Sequence, residues 1–156
     1  MKTYNIFSIE EFKSKIGKKS RLLGIDPGIK NIGFAVSDEN KIVSTPLKIV
    51  EKKKFVSLIR EINNIISENQ IKGIVIGDPI NMDGSKGKSS QSAKQFAINL
   101  SRNVTIPITF WDERLSSEGS FKMSKELGIN TSKRISKLDK NAAAFILQGA
   151  IDYLTN

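Results

Sequence analysis

The chain has 156 residues, 38% hydrophobic and 26% charged, with a formal net charge of +9, which is long enough for one domain with a real core and ordinary for a globular protein. It contains no cysteine and no histidine, which excludes disulfides, thiolate or imidazole metal sites, Ser-His-Asp and Cys-His arrangements and every imidazole acid or base. An enzyme built from this sequence works with carboxylates, hydroxyls, lysine, arginine and bound ions, while the basic balance suggests a polyanionic partner, nucleic acid first.

The opening stretch, MKTYNIFSIEEFKSKIGKKS, has no secretory h-region, and no apolar run approaches the roughly 18 residues that span a bilayer. The expected setting is the cytoplasm, with no membrane partner. Ser8 to Glu11 reads as a capping box, and Ile9, Phe12 and Ile16 share one helical face, so a short helix is expected within an N-terminal extension of residues 1–20. The basic link GKKSR leads into LLGIDPGIKNIGFAVSD, residues 22–38. Leu22, Leu23 and Ile25 read as a strand that stops at about Asp26, because Pro27 cannot donate to a sheet. Gly28 permits a positive φ, and Ile32, Phe34 and Val36 alternate as a second strand, so a hairpin with a loop of about five residues is expected. A third strand covers about 41–49, with Pro46 favouring a sheet edge.

Residues 52–68 carry one apolar stripe (Phe55, Leu58, Ile59, Ile62, Ile65, Ile66) and read as a helix. GIVIG, 73–77, is the kind of short apolar strand that is buried on both faces. The loop DPINMDGSKGK and a helix over 89–102 follow, then a strand at 108–113 (ITFWDE), a helix over 114–127, a polar and mobile link GINTSKRISK, and a last helix over 139–154. The order β-β-β-α-β-α-β-α-α implies an α/β fold in a single domain, 21–156. Its five-stranded mixed sheet has three antiparallel strands followed by parallel ones, with helices covering it.

Three stretches carry acids at element ends. Asp26 closes the first strand, where the alternative is an ordinary turn-starting aspartate. Asp112 and Glu113 close a buried strand, in which neighbouring side chains alternate faces, so the residues alone leave open which one points inward. Asp139 stands where an apolar helix is expected to start, and a simple N-cap would explain it equally well. Ala142, Ala143 and Ala144 then give that helix a smooth face for close approach to a sheet. Trp111 reads as core.

Together these stretches resemble the YqgF/RuvX family, over about 22–154. The matching segments are DPGIKNIG (26–33), GDPINMDG (77–84), DERLS (112–116) and DKNAAA (139–144). The resemblance implies a ribonuclease H-like fold and a nuclease that processes the 5′ end of precursor 16S rRNA, with Holliday junction resolution as the alternative. A non-catalytic RNA-binding module is the rival of another class. It implies catalytic, metal-binding carboxylates at Asp26, Glu113 and Asp139, with Asp112 as a secondary candidate, and two Mg²⁺ or Mn²⁺ ions about 3.5–4 Å apart. Asp26 would bridge both ions, and Glu113 and Asp139 would hold one each. Lys30, Lys86, Lys88, Arg114 and Arg134 are the substrate-binding candidates. Each has an ordinary alternative as a loop lysine, a carboxylate partner or part of a solvated link. Expected partners are precursor rRNA and ribosomal particles, with the chain a monomer or weak dimer. Asp78 stands where the family carries an apolar residue, either adding to the ion's shell or capping its loop.

Overall fold

The computed structural model describes residues 5–52, 54–79, 84–113 and 131–156, with side chains in the last segment described from Ala142 onward. Among the described residues ten elements follow one another: β1 (Ile6–Phe7), α1 (Ile9–Lys15), β2 (Arg21–Pro27), β3 (Asn31–Ser37), β4 (Ser44–Glu51), α2 (Phe55–Asn69), β5 (Ile71–Asp78), α3 (Lys88–Ser101), β6 (Ile108–Asp112) and α4 (Thr131–Leu154). They build one mixed sheet in the order β1-β6-β5-β2-β3-β4. β2, β3 and β4 pair antiparallel, whereas β5 runs parallel to both β2 and β6. All five expected strands are present. The sixth, β1, comes from the N-terminal extension and pairs parallel with β6 through only two residues, too short to announce itself by alternation.

Two cores lie on opposite faces of the sheet. On one, Ile25, Phe34 and Ile76 pack with Ile62 of α2 and Leu100 of α3. On the other, Leu22, Ala35 and Val75 pack with Ala143, Leu147 and Ile151 of α4. Phe12 of α1, fully buried, belongs to this second core. Its ring fills space left by Gly73, where an added Cβ would stand 2.7 Å from Phe12 Cζ. α1 begins as expected, with Ser8 as N-cap accepting from the Glu11 N–H at 3.2 Å. The following link is held from outside: the buried Lys41 ammonium donates to the carbonyls of Gly17 (3.2 Å) and Lys18 (2.5 Å). Lys41 itself has a φ of 57°, in a turn closed by Asp38 Oδ1, which accepts from the Ile42 and Val43 N–H groups.

Four expectations change. The β2–β3 connection is three residues, 28–30, because the strands run on to Pro27 and from Asn31. Gly28 is not in the left-handed region; glycine is needed there because a Cβ would lie 2.4 Å from the Asn31 carbonyl oxygen. The expected link at 128–137 is helical from Thr131, since the stretch from Thr131 to Gln148 contains neither glycine nor proline to stop it. Asp139 therefore lies in the third turn of α4, not at its start, and an N-cap no longer accounts for it. The β4 strand begins at Ser44, after the Asp38 turn, and forms a sheet edge as Pro46 suggested. The helix expected over 114–127 lies outside the described residues. Among the described residues no helix is long and apolar enough to cross a membrane.

The burial of Phe12 makes α1 a structural part of the second core. Phe12→Ala should destabilise the chain by about 3–5 kcal/mol, read as a lower denaturant midpoint with an unchanged slope.

Candidate active site

The C-terminal ends of β2, β5 and β6 lie side by side, and each carries acid. Asp26 is the penultimate residue of β2, with Pro27 closing the strand. The Gly28 N–H donates back to the Asp26 carbonyl at 3.0 Å, turning the chain away directly behind the carboxylate. Asp78 ends β5 directly opposite Asp112, the last residue of β6. Glu113 follows at once.

Glycines decide where these side chains fit. A Cβ on Gly77 would stand 2.7 Å from Glu113 Oε1 and 2.6 Å from Ile146 Cδ1, so Glu113 lies over a strand residue that has no side chain. A Cβ on Gly33 would lie 3.8 Å from the Asp26 Cβ and 3.5 Å from the Ala143 Cβ, which sets Asp26 beside α4. Trp111, two positions before Glu113, points into the core against Tyr153 with ring centroids 5.8 Å apart. Strand alternation thus turns Glu113 to the same face. Asp26 and Glu113 share a side-chain hydrogen bond.

Burial pushes Glu113 up to about 8, and the hydrogen bond and charge of Asp26, then the charges of Asp78 and Asp112, push the same way. At neutral pH Glu113 therefore keeps its proton and donates it to Asp26. Asp78 is buried and accepts from the Ser90 hydroxyl of α3 at 2.5 Å. It ties the end of β5 to the first turn of α3 and adds a negative charge behind Glu113. As a candidate, Asp78 had a readable signal, an acid closing an apolar strand. Its anchor on Ser90, twelve residues later, had none.

The predicted residues divide plainly. Asp26 and Glu113 are brought together, with Asp112 half-buried close enough to act on Glu113. Asp139 lies one helical turn ahead of Ala143 along α4; its side chain, like that of Arg134, is outside the described residues. Among the described residues no three acids are grouped to hold a metal ion. Lys30 is exposed on the hairpin tip, and Lys86 and Lys88 are exposed ahead of and at the start of α3. Arg114 lies outside the described residues, as do Asn81 and Asp83 of the β5–α3 loop.

The family model RuvX, described as Holliday junction resolvase, matches residues 20–153. A candidate pre-16S rRNA nuclease of Pelagibacter ubique (strain HTCC1062) is 48% identical over 151 residues, covering 97% of this chain and all of the relative. Another from Ruegeria pomeroyi (strain ATCC 700808 / DSM 15171 / DSS-3) is 45% identical over 149 residues, covering 96% and 97%. The first alignment is too long to leave out the N-terminal 20 residues, so most of that extension has a counterpart there. Among solved structures, T. thermophilus RuvC in complex with Holliday junction substrate matches with a TM-score of 0.55 at 13% identity, covering 88% of this chain and 96% of that one. The yeast mitochondrial Holliday junction resolvase Ydc2 also matches with a TM-score of 0.55 at 13% identity, covering 94% and 84%. These two likenesses establish the shared ribonuclease H-like fold.

The shared proton gives a sign to the pH dependence. Between its ordinary value of 4.5 and about 8, Glu113 stays protonated when folded but ionises when unfolded. Its stabilising contribution is complete below about 4.5 and is lost as pH rises through about 8. In chelator, Glu113→Gln should flatten the fall in melting temperature over that interval relative to the unaltered chain.

Proposed function

This chain belongs to the RuvX family, and on that premise we propose that it is a divalent-metal-dependent nuclease that hydrolyses phosphodiester bonds of precursor 16S rRNA near its 5′ end. The observation that carries the reading is the Asp26–Glu113 pair, two acids from separate strands held in hydrogen-bond contact at one sheet edge. Burying two carboxylates together is unfavourable for folding, and here it is relieved only by keeping a proton. A cation would displace that proton and make both oxygens ligands.

The donor set fits such an ion. It is made of carboxylates alone, suited to Mg²⁺ or Mn²⁺, and the chain has no nitrogen or sulfur ligand that would select zinc. Asp26 and Glu113 would hold the metal, Asp139 would complete the set, and Asp112 is the secondary candidate. Two ions are the proposed complement. When bound, the metal supplies Lewis-acid polarisation of the phosphoryl oxygen and a more acidic water. The chain's own residues do the rest. Gly77 leaves room for Glu113 to lie against Asp26, and the Asp78–Ser90 bond fixes the strand end beneath them. Lys30, Lys86 and Lys88, all exposed, would contact phosphates flanking the cut, with Arg114 and Arg134 as further proposed contacts. Ribosomal particles and a cytoplasmic setting follow from the rRNA substrate.

A cleavage assay separates this reading from its rivals. Precursor rRNA, single-stranded RNA and a four-way DNA junction are each incubated with Mg²⁺ or with chelator. Magnesium-dependent cutting of precursor rRNA is the expected result. Preferential cutting of the junction would make the protein a resolvase, and binding without any cutting would make it an RNA-binding module.

Substitutions test the carboxylates one at a time. Asp26→Asn and Asp139→Asn should abolish most cleavage while leaving the fold intact in chelator. For the unaltered protein, Mg²⁺ at a hundred times its dissociation constant should add about 2.7 kcal/mol of stability, and both variants should lose most of that gain. Cleavage by Asp139→Asn at the unaltered rate would remove Asp139 from the site.

RNA binding should also weaken as salt rises, and removing one phosphate contact, as in Lys86→Gln, should flatten the logarithmic salt slope by about 0.7 on a single strand. Salt-independent binding would contradict the role given to these lysines.

A further inference from the structure

A cavity of about 390 Å³ opens between β4 and α2, lined by Val50, Glu51, Ser57, Leu58 and Glu61. Nothing in the carboxylate chemistry uses it, yet it lies at the same end of the sheet. Pro27 pairs with Ile32, and Ile32 with Val50, so the cavity floor is two strand spacings, about 10 Å, from the end of β2. The chain beside it is basic. Lys52 and Lys54 are exposed as the chain leaves β4 and enters α2, and the Lys52 N–H donates to the Lys30 carbonyl at 2.8 Å, locking that segment to the hairpin tip.

We propose that the β4–α2 cavity is a subsite for one unpaired nucleotide of the RNA strand whose phosphodiester is cut at Asp26 and Glu113; it rests on the nuclease reading above. Three features on one spot match a nucleotide. The half-buried Val50 offers an aliphatic surface for the flat face of a base, with the buried Leu58 behind it. Ser57 and Glu51 offer hydrogen-bond acceptors for its N–H edge, while Glu61 on the same wall is held by Lys48. Lys52 and Lys54 offer charge to the phosphates beside it. The volume lies at the lower end of small-ligand sites, which suits one nucleotide and no more. Val50 packs with the α2 and α3 core, whereas Asp26 faces α4. The strand therefore crosses the edge of the sheet over residues 28–30, past Lys30, and the subsite holds it a few nucleotides from the cut. The acceptors favour a base that bears an exocyclic amino group over uracil.

The test is binding of a labelled single-stranded hexaribonucleotide in chelator, read by fluorescence anisotropy. Ser57→Leu, at an exposed position, closes the cavity mouth. It should weaken binding about fivefold and leave the salt slope unchanged, because no charge is removed. The double variant Lys52→Gln/Lys54→Gln should weaken binding and reduce the slope by about 1.4, two single-strand phosphate contacts. On the unaltered chain, the RNA should slow hydrogen exchange at the amides of Val50, Glu51 and Leu58, a readout that needs no substitution to fold. Unaltered affinity in Ser57→Leu together with unchanged exchange at those amides overturns the subsite, as does failure of the unaltered chain to bind the RNA. Binding that behaves as expected without magnesium-dependent cleavage upholds the subsite and overturns the nuclease reading.

Discussion

The close approach of α4 to the middle of the sheet is the constraint on which the rest depends. At Gly24 the helix and strand leave no room for a side chain, since a Cβ would lie 2.8 Å from the Leu147 Cβ and 3.0 Å from the Ala143 carbonyl oxygen. Ala143 closes the same gap over Gly33. A side chain at Gly24 would push α4 outward and separate it from Asp26, whereas a Cβ at Gly33 would only make ordinary contact with Ala143. Polar contacts set the rotation of the helix as well as its distance. The Ser44 hydroxyl donates to the Ala144 carbonyl at 2.5 Å, and Gln148 accepts from the Ser44 N–H while donating to the Ile42 carbonyl. Depth and rotation together fix the line along which the backbone of Asp139 precedes Ala143.

Around that contact the chain concentrates charge that folding opposes. Asp26, Asp78, Asp112 and Glu113 occupy neighbouring strand ends in a protein whose net charge is +9. Lys41 is committed to carbonyls of the N-terminal link, and Lys48 is paired with Glu61 on the edge of the sheet. Lys30, Lys52, Lys54, Lys86 and Lys88 remain exposed. The result is an acidic centre with a basic margin, and at that centre Glu113 keeps a proton.

The legible parts share one property, that a local pattern is enough to produce them. The apolar stripe from Phe55 to Ile66 makes α2, the GIVIG run makes β5, and Ser8 with Glu11 opens α1 wherever these segments pack. The misread parts were those where composition and geometry disagree. The polar stretch after Gly128 looks like a linker but has no residue that stops a helix from Thr131 on. Gly28 looks like a positive-φ turn residue, but its need arises from the Asn31 carbonyl pressing against it. Asp139 looks like a cap only while the helix is assumed to begin there.

By itself the sequence determined the element types, the mixed sheet, the absence of histidine and cysteine chemistry and the set of strand-end acids, because each depends on residue identity and short-range period. Which acids meet was a tertiary decision. Asp26 and Glu113 stand 87 positions apart in the chain, and only the parallel pairing of β5 between β2 and β6 puts their strand ends on one edge. Turning Glu113 rather than Asp112 onto Asp26 required the vacancy over Gly77 and the burial of Trp111 on the α4 face. The protonation of Glu113 is likewise absent from the sequence. It arises from the desolvation and the neighbouring negative charge that the folded sheet edge imposes on a carboxyl which, in the unfolded chain, would ionise near 4.5.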